Sequence, residues 1–330
     1  MRKFLLLSFL LHLVLANGAF GQQDPAFTKY FFNSLIFNPA VAGSNNHLTA
    51  NLIHRSQWFG VEGAPTTQSL SVHTPLKNER IGLGLSLVND KIGASGSFDF
   101  STAYAYRFPV GKKLKLSVGV QAGVSNWRGN WSKLTLEDGT DEVFSENLNQ
   151  WLPNFGAGIY LHSERFFAGA GCPRILEYDL RNNDGSTPFY AKNYRHYYSI
   201  VGAAFPLGSE LVVFRPSLLL KSTGLFSSLR KNATPQQVGS PTELDVDAAF
   251  FFQQFFWVGA AYRTALELGD SSNDSADFWV AFSFRNGLRL GAAYDLTLSK
   301  LNKVSNGSFE IMAGYEFDVK IKRVASPRYF

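Results

Sequence analysis

The sequence predicts an all-β protein: a transmembrane antiparallel β-barrel of a bacterial outer membrane, with about fourteen strands. Three observations predict it. The chain opens with an export leader, its later segments alternate apolar and polar residues, and its connections switch between tight turns and long loops.

The leader comes first. Arg2 and Lys3 form a basic start, and Phe4 to Leu15 is an apolar run broken only by Ser8 and His12. Ala19-Phe20-Gly21 supplies small residues at the spacing of a signal-peptidase site, so residues 1–21 read as a signal peptide cleaved before Gln22. The run is too short for a membrane anchor, which takes roughly 20 apolar residues. Residues 22–46, rich in Phe and Asn, precede the first strand as an N-terminal periplasmic or lumenal segment, residues 47–319 form the barrel, and 320–330 form a periplasmic C-terminal tail.

Composition agrees with a barrel. Mean hydropathy is close to neutral, yet aromatics make up 15% of the chain, with 30 Phe and 13 Tyr beside 29 Gly. Only every second residue of a barrel strand faces lipid, so averaging hides the membrane signal. The formal charge of +5 falls to about +3 once Arg2 and Lys3 leave with the leader. Lys and Arg form no stripe interleaved with aromatics, which argues against nucleic acid as a partner.

Strands expected near 47–60, 66–76, 80–90, 96–108, 113–125, 151–162, 165–172, 195–206, 210–221, 243–252, 255–264, 276–284, 287–298 and 308–319 give an even count. The clearest is 113–125, where Leu114, Leu116, Val118, Val120, Ala122 and Val124 share one face and Lys115, Ser117, Gly119, Gln121 and Gly123 the other. The same alternation runs through Phe98–Phe108, Phe278–Phe284, Leu288–Leu296 and Phe309–Val319. Segments 165–172 and 255–264 carry the weakest pattern.

Tight connections follow the even strands: Lys77-Asn78-Glu79, Pro109 to Lys112, Ser163-Glu164, Leu207-Gly208-Ser209, Gln253-Gln254 and Arg285-Asn286. Long ones follow odd strands: Asn126 to Gln150, Pro173 to Tyr194, Gly224 to Thr242, Ala265 to Ser275 and Ser299 to Gly307. Tight turns on one rim and long loops on the other are the outer-membrane pattern, with the tight rim in the periplasm and both termini expected there. A ring this wide is not filled by its own side chains, since about eight strands already suffice for that. The segment before the first strand is therefore a candidate plug of the lumen.

Motifs for chemistry are sparse. His12, His47, His54, His73, His162 and His196 have no metal-ligand neighbours at useful spacing, and no cofactor is expected. Gly82-Leu83-Gly84, Gly156-Ala157-Gly158 and Gly169-Ala170-Gly171 lie inside strands, where Gly admits close backbone approach. Cys172 has no partner cysteine and reads as a small packing residue. Ser71, His54 and His73 on adjacent strands are the one grouping an esterase would use, against the plainer reading of chance in a Ser-rich barrel. Asp295, Glu310, Glu316 and Asp318, with Arg289 nearby, are expected to form a solvated lumen network.

Specific blocks carry a resemblance. Asp24-Pro25-Ala26-Phe27-Thr28-Lys29-Tyr30, then Asn33, then Asn38-Pro39-Ala40-Val41-Ala42-Gly43 form the first. Arg55-Ser56-Gln57-Trp58-Phe59-Gly60 with Gly63-Ala64-Pro65 forms the second, joined by Asn89-Asp90-Lys91-Ile92-Gly93 and the terminal Ser326-Pro327-Arg328-Tyr329-Phe330. Together they resemble the PorP/SprF-like family of the Bacteroidota type IX secretion system. Cys172-Pro173-Arg174 departs from the family's pattern after a strand. The resemblance implies a non-enzymatic outer-membrane barrel that supports secretion or surface anchoring of large adhesins, gliding adhesins among them. It also implies contact with a periplasmic, peptidoglycan-binding OmpA-like lipoprotein. The signature residues are expected to maintain the fold or touch a partner: Asn38-Pro39-Ala40 as a turn, Trp58 in an interfacial aromatic girdle, and Arg55 paired with a lumen carboxylate. Phe330 suits either barrel assembly or a periplasmic tail that docks a partner. The competing reading is an outer-membrane transporter of hydrophobic or small solutes with the N-terminal segment as hatch.

Overall fold

The computed structural model describes residues 27–45, 47–76, 79–133, 147–180, 191–224, 242–266 and 273–317. The leader, Asp24, Pro25, Lys77, Asn78, Asp318 and the terminal Pro327, Arg328, Tyr329 and Phe330 lie outside the described residues.

The strands are β1 (Leu48–Ser56), β2 (Thr66–Pro75), β3 (Ile81–Ile92), β4 (Ser95–Val110), β5 (Leu114–Gly129), β6 (Leu148–His162), β7 (Phe166–Cys172), β8 (Tyr178–Leu180), β9 (Ala191–Asn193), β10 (His196–Ala203), β11 (Phe205–Leu207), β12 (Ser209–Thr223), β13 (Glu243–Phe252), β14 (Phe256–Ala265), β15 (Asn273–Ser283), β16 (Leu288–Thr297) and β17 (Ser308–Phe317). All but β8 and β9 belong to one antiparallel sheet, and two pairings close it into a ring: β10 with β12, and β1 with β17. Since β10 and β11 are one stave broken at Ala204, the closed barrel has fourteen staves, the count the sequence predicts. The break sits beside Pro206, which cannot donate to the ladder. Closure satisfies every wall strand on both sides, the condition for crossing lipid with strands.

The sidedness of the sheet is inverted relative to a soluble protein. Val120 is 54% exposed, Phe155 55% and Phe278 60%, all on the outer surface, while Ser71, Ser117 and Asp277 are buried inside. No helix among the described residues is long and apolar enough to cross a membrane; the strands make the crossing.

Most boundaries fall within a few residues of expectation, including β7 and β14, where the pattern is weakest. Two differences have physical causes. The wall rises beyond Asn126 and Gln150, because β5 and β6 stay paired up to Gly129 opposite Leu148. The alternation of loop length breaks at β3–β4, joined by Gly93-Ala94 alone, with Gly93 at φ +55° supplying the left-handed geometry of a two-residue turn.

The lumen holds residues 27–45, part of the segment expected as a candidate plug, so the charged network there is not simply solvated. This stretch is largely buried and holds two short 3-10 helices, Tyr30–Ile36 and Pro39–Val41. The first described residue of this stretch lies toward the long-loop rim. Strand β17 ends at the tight-turn rim, but the Phe27 carbonyl accepts from Arg263, two residues from the long-loop end of β14. The chain then descends the lumen to Gly43 and turns into β1.

Because Val120 lies near the middle of the outer face of β5, Val120→Arg is expected to lower the unfolding free energy by about 2–4 kcal/mol, the cost of a charge facing the membrane midplane. Reversible denaturant titration in lipid vesicles measures it.

Candidate functional site

The first signature block builds the contents of the lumen. Asn38 is extended (φ −149°, ψ 109°), as the residue before a proline prefers. Its Oδ1 accepts from the Ala40 N–H at 2.9 Å and its Nδ2 donates to the Ile159 carbonyl at 2.9 Å, fixing the turn to the wall. Pro39 and Ala40 lie against β5 so closely that a Cβ on Gly119 would sit 2.3 Å from the Ala40 nitrogen. At Gly82 a Cβ would sit 1.9 Å from the Ala42 carbonyl oxygen. Glycine in these strands is what allows two backbones to touch. Gly43, at φ +66°, donates its N–H to His73 Nδ1 at 3.2 Å and closes the lower end.

Higher in the lumen the segment is held by charge. Arg55 pairs with Asp295 at 2.5 Å and with Glu310 at 3.6 Å, all three side chains nearly inaccessible. Arg55 also donates to the Thr28 hydroxyl, which in turn donates to Asp295 at 2.7 Å. The backbone N–H groups of Thr28 and Lys29 donate to Glu310 at 2.8 and 3.1 Å. The Lys29 ammonium pairs with Asp247 at 3.1 Å and lies 4.7 Å from the centre of the Trp279 ring, whose Nε1 donates to the same carboxylate at 3.0 Å. Arg263 binds Asp245 through two hydrogen bonds of 2.8 and 2.9 Å. Tyr30 shares a hydrogen bond with Ser217, and the Asn33 amide donates to Ser69.

Arg55 thus meets lumen carboxylates, as its place in the alternation suggests, but the cluster is sealed beneath the N-terminal segment and not solvated. The expected network is also two separate ones: Asp295 and Glu310 join Arg55, whereas Arg289 pairs with Glu316 at 2.8 Å nearer the tight-turn rim. Sequence reasoning did not single out Lys29, Asp245, Asp247, Arg263 and Trp279. Asp245 and Asp247 occupy the inward positions of β13, so alternation marks their direction; their partners lie far along the chain.

The second signature block sits at the opposite rim. The Gln57 N–H donates to the Pro65 carbonyl, Ala64 to Val61, and Gly63 accepts from Gly93. The loop is tied across the barrel seam: Phe59 donates to Gly307 at 2.7 Å, Asn306 to Phe59 at 2.9 Å, and the Trp58 N–H to the Ser308 hydroxyl at 3.1 Å. Trp58 is half-buried in this loop with φ +50°, and Gly60 packs against the Asn306 side chain.

The esterase grouping does not assemble. His54 faces outward, against Phe309 and Ser56, while Ser71 and His73 face the lumen from the other side of the wall. Cys172 ends β7, its thiol donating to the Arg174 carbonyl.

A cavity of about 480 Å³ opens at the tight-turn rim. The underside of the N-terminal segment, Phe31 to Leu35, floors it, and its mouth carries Glu79, Lys112, Lys113 and Glu164 from the turns. Arg215 lines its depths, stacked 3.5 Å above the centre of the Phe31 ring.

Arg55→Met is expected to cost about 3–5 kcal/mol, because it leaves two buried carboxylates without their cation. Denaturant unfolding in lipid measures the loss, and limited proteolysis should show new cleavage before β1.

Among curated proteins, none matches this chain. Several solved outer-membrane proteins are similar in architecture. A FadL homologue of Pseudomonas aeruginosa is 13% identical, with 92% of this chain and 96% of that one covered and a TM-score of 0.46. An outer membrane protein of Acinetobacter baumannii is 9% identical, covering 82% and 99%, with a TM-score of 0.43. BamA from Haemophilus ducreyi is 11% identical, covering 83% and 71%, with a TM-score of 0.41. The family model described as type IX secretion system membrane protein PorP/SprF matches residues 19–315. That match spans the lumen-filling segment, the rim loop and nearly the whole wall, so this outer-membrane barrel belongs to the PorP/SprF family of the type IX secretion system.

Proposed function

We propose that this protein works by protein contact, as a closed barrel that supports secretion or surface anchoring of large adhesins, including those used in gliding motility by Bacteroidota. Its signal peptide, residues 1–21, delivers it to the periplasm. The tight-turn rim then faces a periplasmic, peptidoglycan-binding OmpA-like lipoprotein, and the long-loop rim faces the secreted client. Membership in a family of secretion-system components, not a known enzyme family, supports a role without catalysis.

The observation that carries this reading is the way residues 27–45 are fixed inside the ring. A hatch that moved to admit solutes would have to separate Lys29 from Asp247 and lift Thr28 off Glu310 and Asp295. Parting one buried ion pair costs on the order of 3–5 kcal/mol. It would also break the close backbone contacts at Gly82 and Gly119. This weighs against the solute-transporter reading and in favour of a scaffold.

Deleting the gene should remove adhesins from the cell surface, scored by surface labelling and by gliding; unchanged labelling would overturn the proposal. In planar bilayers the purified protein is expected to stay silent. A Gly82→Val, Gly119→Val double variant, whose new side chains push the N-terminal segment off the wall, should show conductance steps. Steady conductance or ligand movement by the unaltered protein would favour transport instead.

A further inference from the structure

At the depth of the cavity at the tight-turn rim stands a cation with no hydrogen-bonded counterpart. Arg215 is 1% exposed, and its Nε and Nη2 have no hydrogen-bond partner. It forms no direct ion pair with any described carboxylate; Asp247, already held by Lys29 and Trp279, acts on it only through space. Every other buried Lys or Arg among the described residues has at least one carboxylate or carbonyl partner. Lys29, Arg55, Arg263 and Lys221 pair with carboxylates, and Arg107 donates to the backbone carbonyls of Glu79 and Ala42. A guanidinium buried without an anion is costly to keep. Arg215 is also not displaced into solvent or folded against a neighbour's carbonyl. Its guanidinium carbon stands over Phe31, 3.5 Å from the ring centre, with Trp257 5.3 Å away. Stacking on Phe31 covers a face of the guanidinium, while its edge of N–H donors, the part that grips a carboxylate or phosphate in two parallel hydrogen bonds, makes no hydrogen bond within the protein.

We propose that this cavity is a binding site for an oxyanion, a carboxylate or phosphate group on a small ligand, which enters from the tight-turn rim and is received by Arg215. The volume of about 480 Å³ lies within the range of small-molecule sites, roughly 300–1,000 Å³. The walls suit such a ligand. Five cations line the cavity against three carboxylates, and two of those carboxylates are already engaged, Glu316 by Arg289 and Glu79 by Lys115. An incoming anion therefore meets a positive field at the mouth, where Lys112 and Lys113 stand, and an aromatic surface around Arg215. The Ser71 hydroxyl, fully buried, without a partner and lining the same cavity, adds a donor to the wall. The site does not depend on which protein meets the rim.

The test uses the purified mature chain in detergent, with thermal unfolding followed at constant ionic strength. Inorganic phosphate and sodium benzoate are titrated separately against a potassium chloride control. A bound oxyanion raises Tm saturably, in proportion to ln(1 + [L]/Kd), and the arm that responds separates phosphate from carboxylate. Arg215→Met replaces an unpaired buried charge by an apolar side chain of similar length, so the barrel should fold with no lower Tm in chloride. It should weaken the response by about tenfold or more. Arg215→Lys keeps the charge without the planar fork and should respond with intermediate affinity; it stands in if the Met variant does not fold. If neither anion raises Tm beyond chloride, or if Arg215→Met responds as the unaltered protein does, Arg215 is merely hydrated and the proposal fails.

Discussion

A sheet that crosses lipid must close on itself, and closing fourteen staves leaves a lumen that the wall's own side chains cannot fill. The rest of this structure follows from how that space is occupied. The chain uses its own N-terminal segment, and the wall is shaped to receive it. Where backbone meets backbone the wall offers glycine, as at Gly82 and Gly119. Where the segment presents charge or free N–H groups, the wall offers Asp247, Asp295 and Glu310. Where it presents aromatic rings, the wall offers Trp257, Trp279 and Arg215.

The choice of charge inside the lumen has consequences for specificity. A buried ion pair contributes little net stability compared with an apolar filling of the same volume, because desolvation offsets the attraction. It is unforgiving of misplacement, however. Apolar contacts such as the tilted Phe31 and Trp279 rings, 5.2 Å apart, tolerate sliding. The Thr28 and Lys29 N–H groups meeting Glu310 do not, since a shift of one residue would strand a carboxylate with no water to take its place. Aromatic packing fills the lumen, and the charged set fixes the register of the segment within it.

Much of the wall was legible in the sequence because strand periodicity is local. Ser117 and Val118 announce their opposite sides of the sheet by position alone, and so do Arg55 and Asp295. The strand glycines were legible as places of close approach, though not what approaches them. Alternation states which way a side chain faces and says nothing of what stands opposite, so a lumen lined with Asp and Glu reads as wet. Lys29 reaches Asp247, 218 positions along the chain, through a ring that exists only after closure. No spacing rule encodes such a pair. The same limit hides Arg215: its inward direction follows from β12, but its lack of an anion is a property of the assembled interior.

The two signature blocks, separate in the sequence, are one mechanical unit in space. Arg55 is the joint. Its side chain holds Thr28 and Asp295 inside the lumen, while its backbone, two residues on, becomes the loop that ties Phe59 to Gly307 across the β1–β17 seam. Asp295 and Glu310 stand on β16 and β17, the strands joined by the loop that carries Gly307. The rim strap, the barrel seam and the upper end of the lumen segment therefore share a single set of buried charges. Displacing the strap moves the strand ends that carry those charges, and withdrawing Thr28 removes two of the donors that hold them apart from water. The lower end has no carboxylate clamp: Gly43 rests on His73 and on the bare backbone of β3, and Arg107 adds one hydrogen bond to the Ala42 carbonyl, so fit does most of the holding. The segment is thus clamped electrostatically at the long-loop end and sterically at the tight-turn end. Among the described residues, the buried carboxylates that grip the segment's N–H groups and cation lie toward the long-loop rim, whereas the tight-turn rim reaches it through Arg107 and the Ala42 carbonyl.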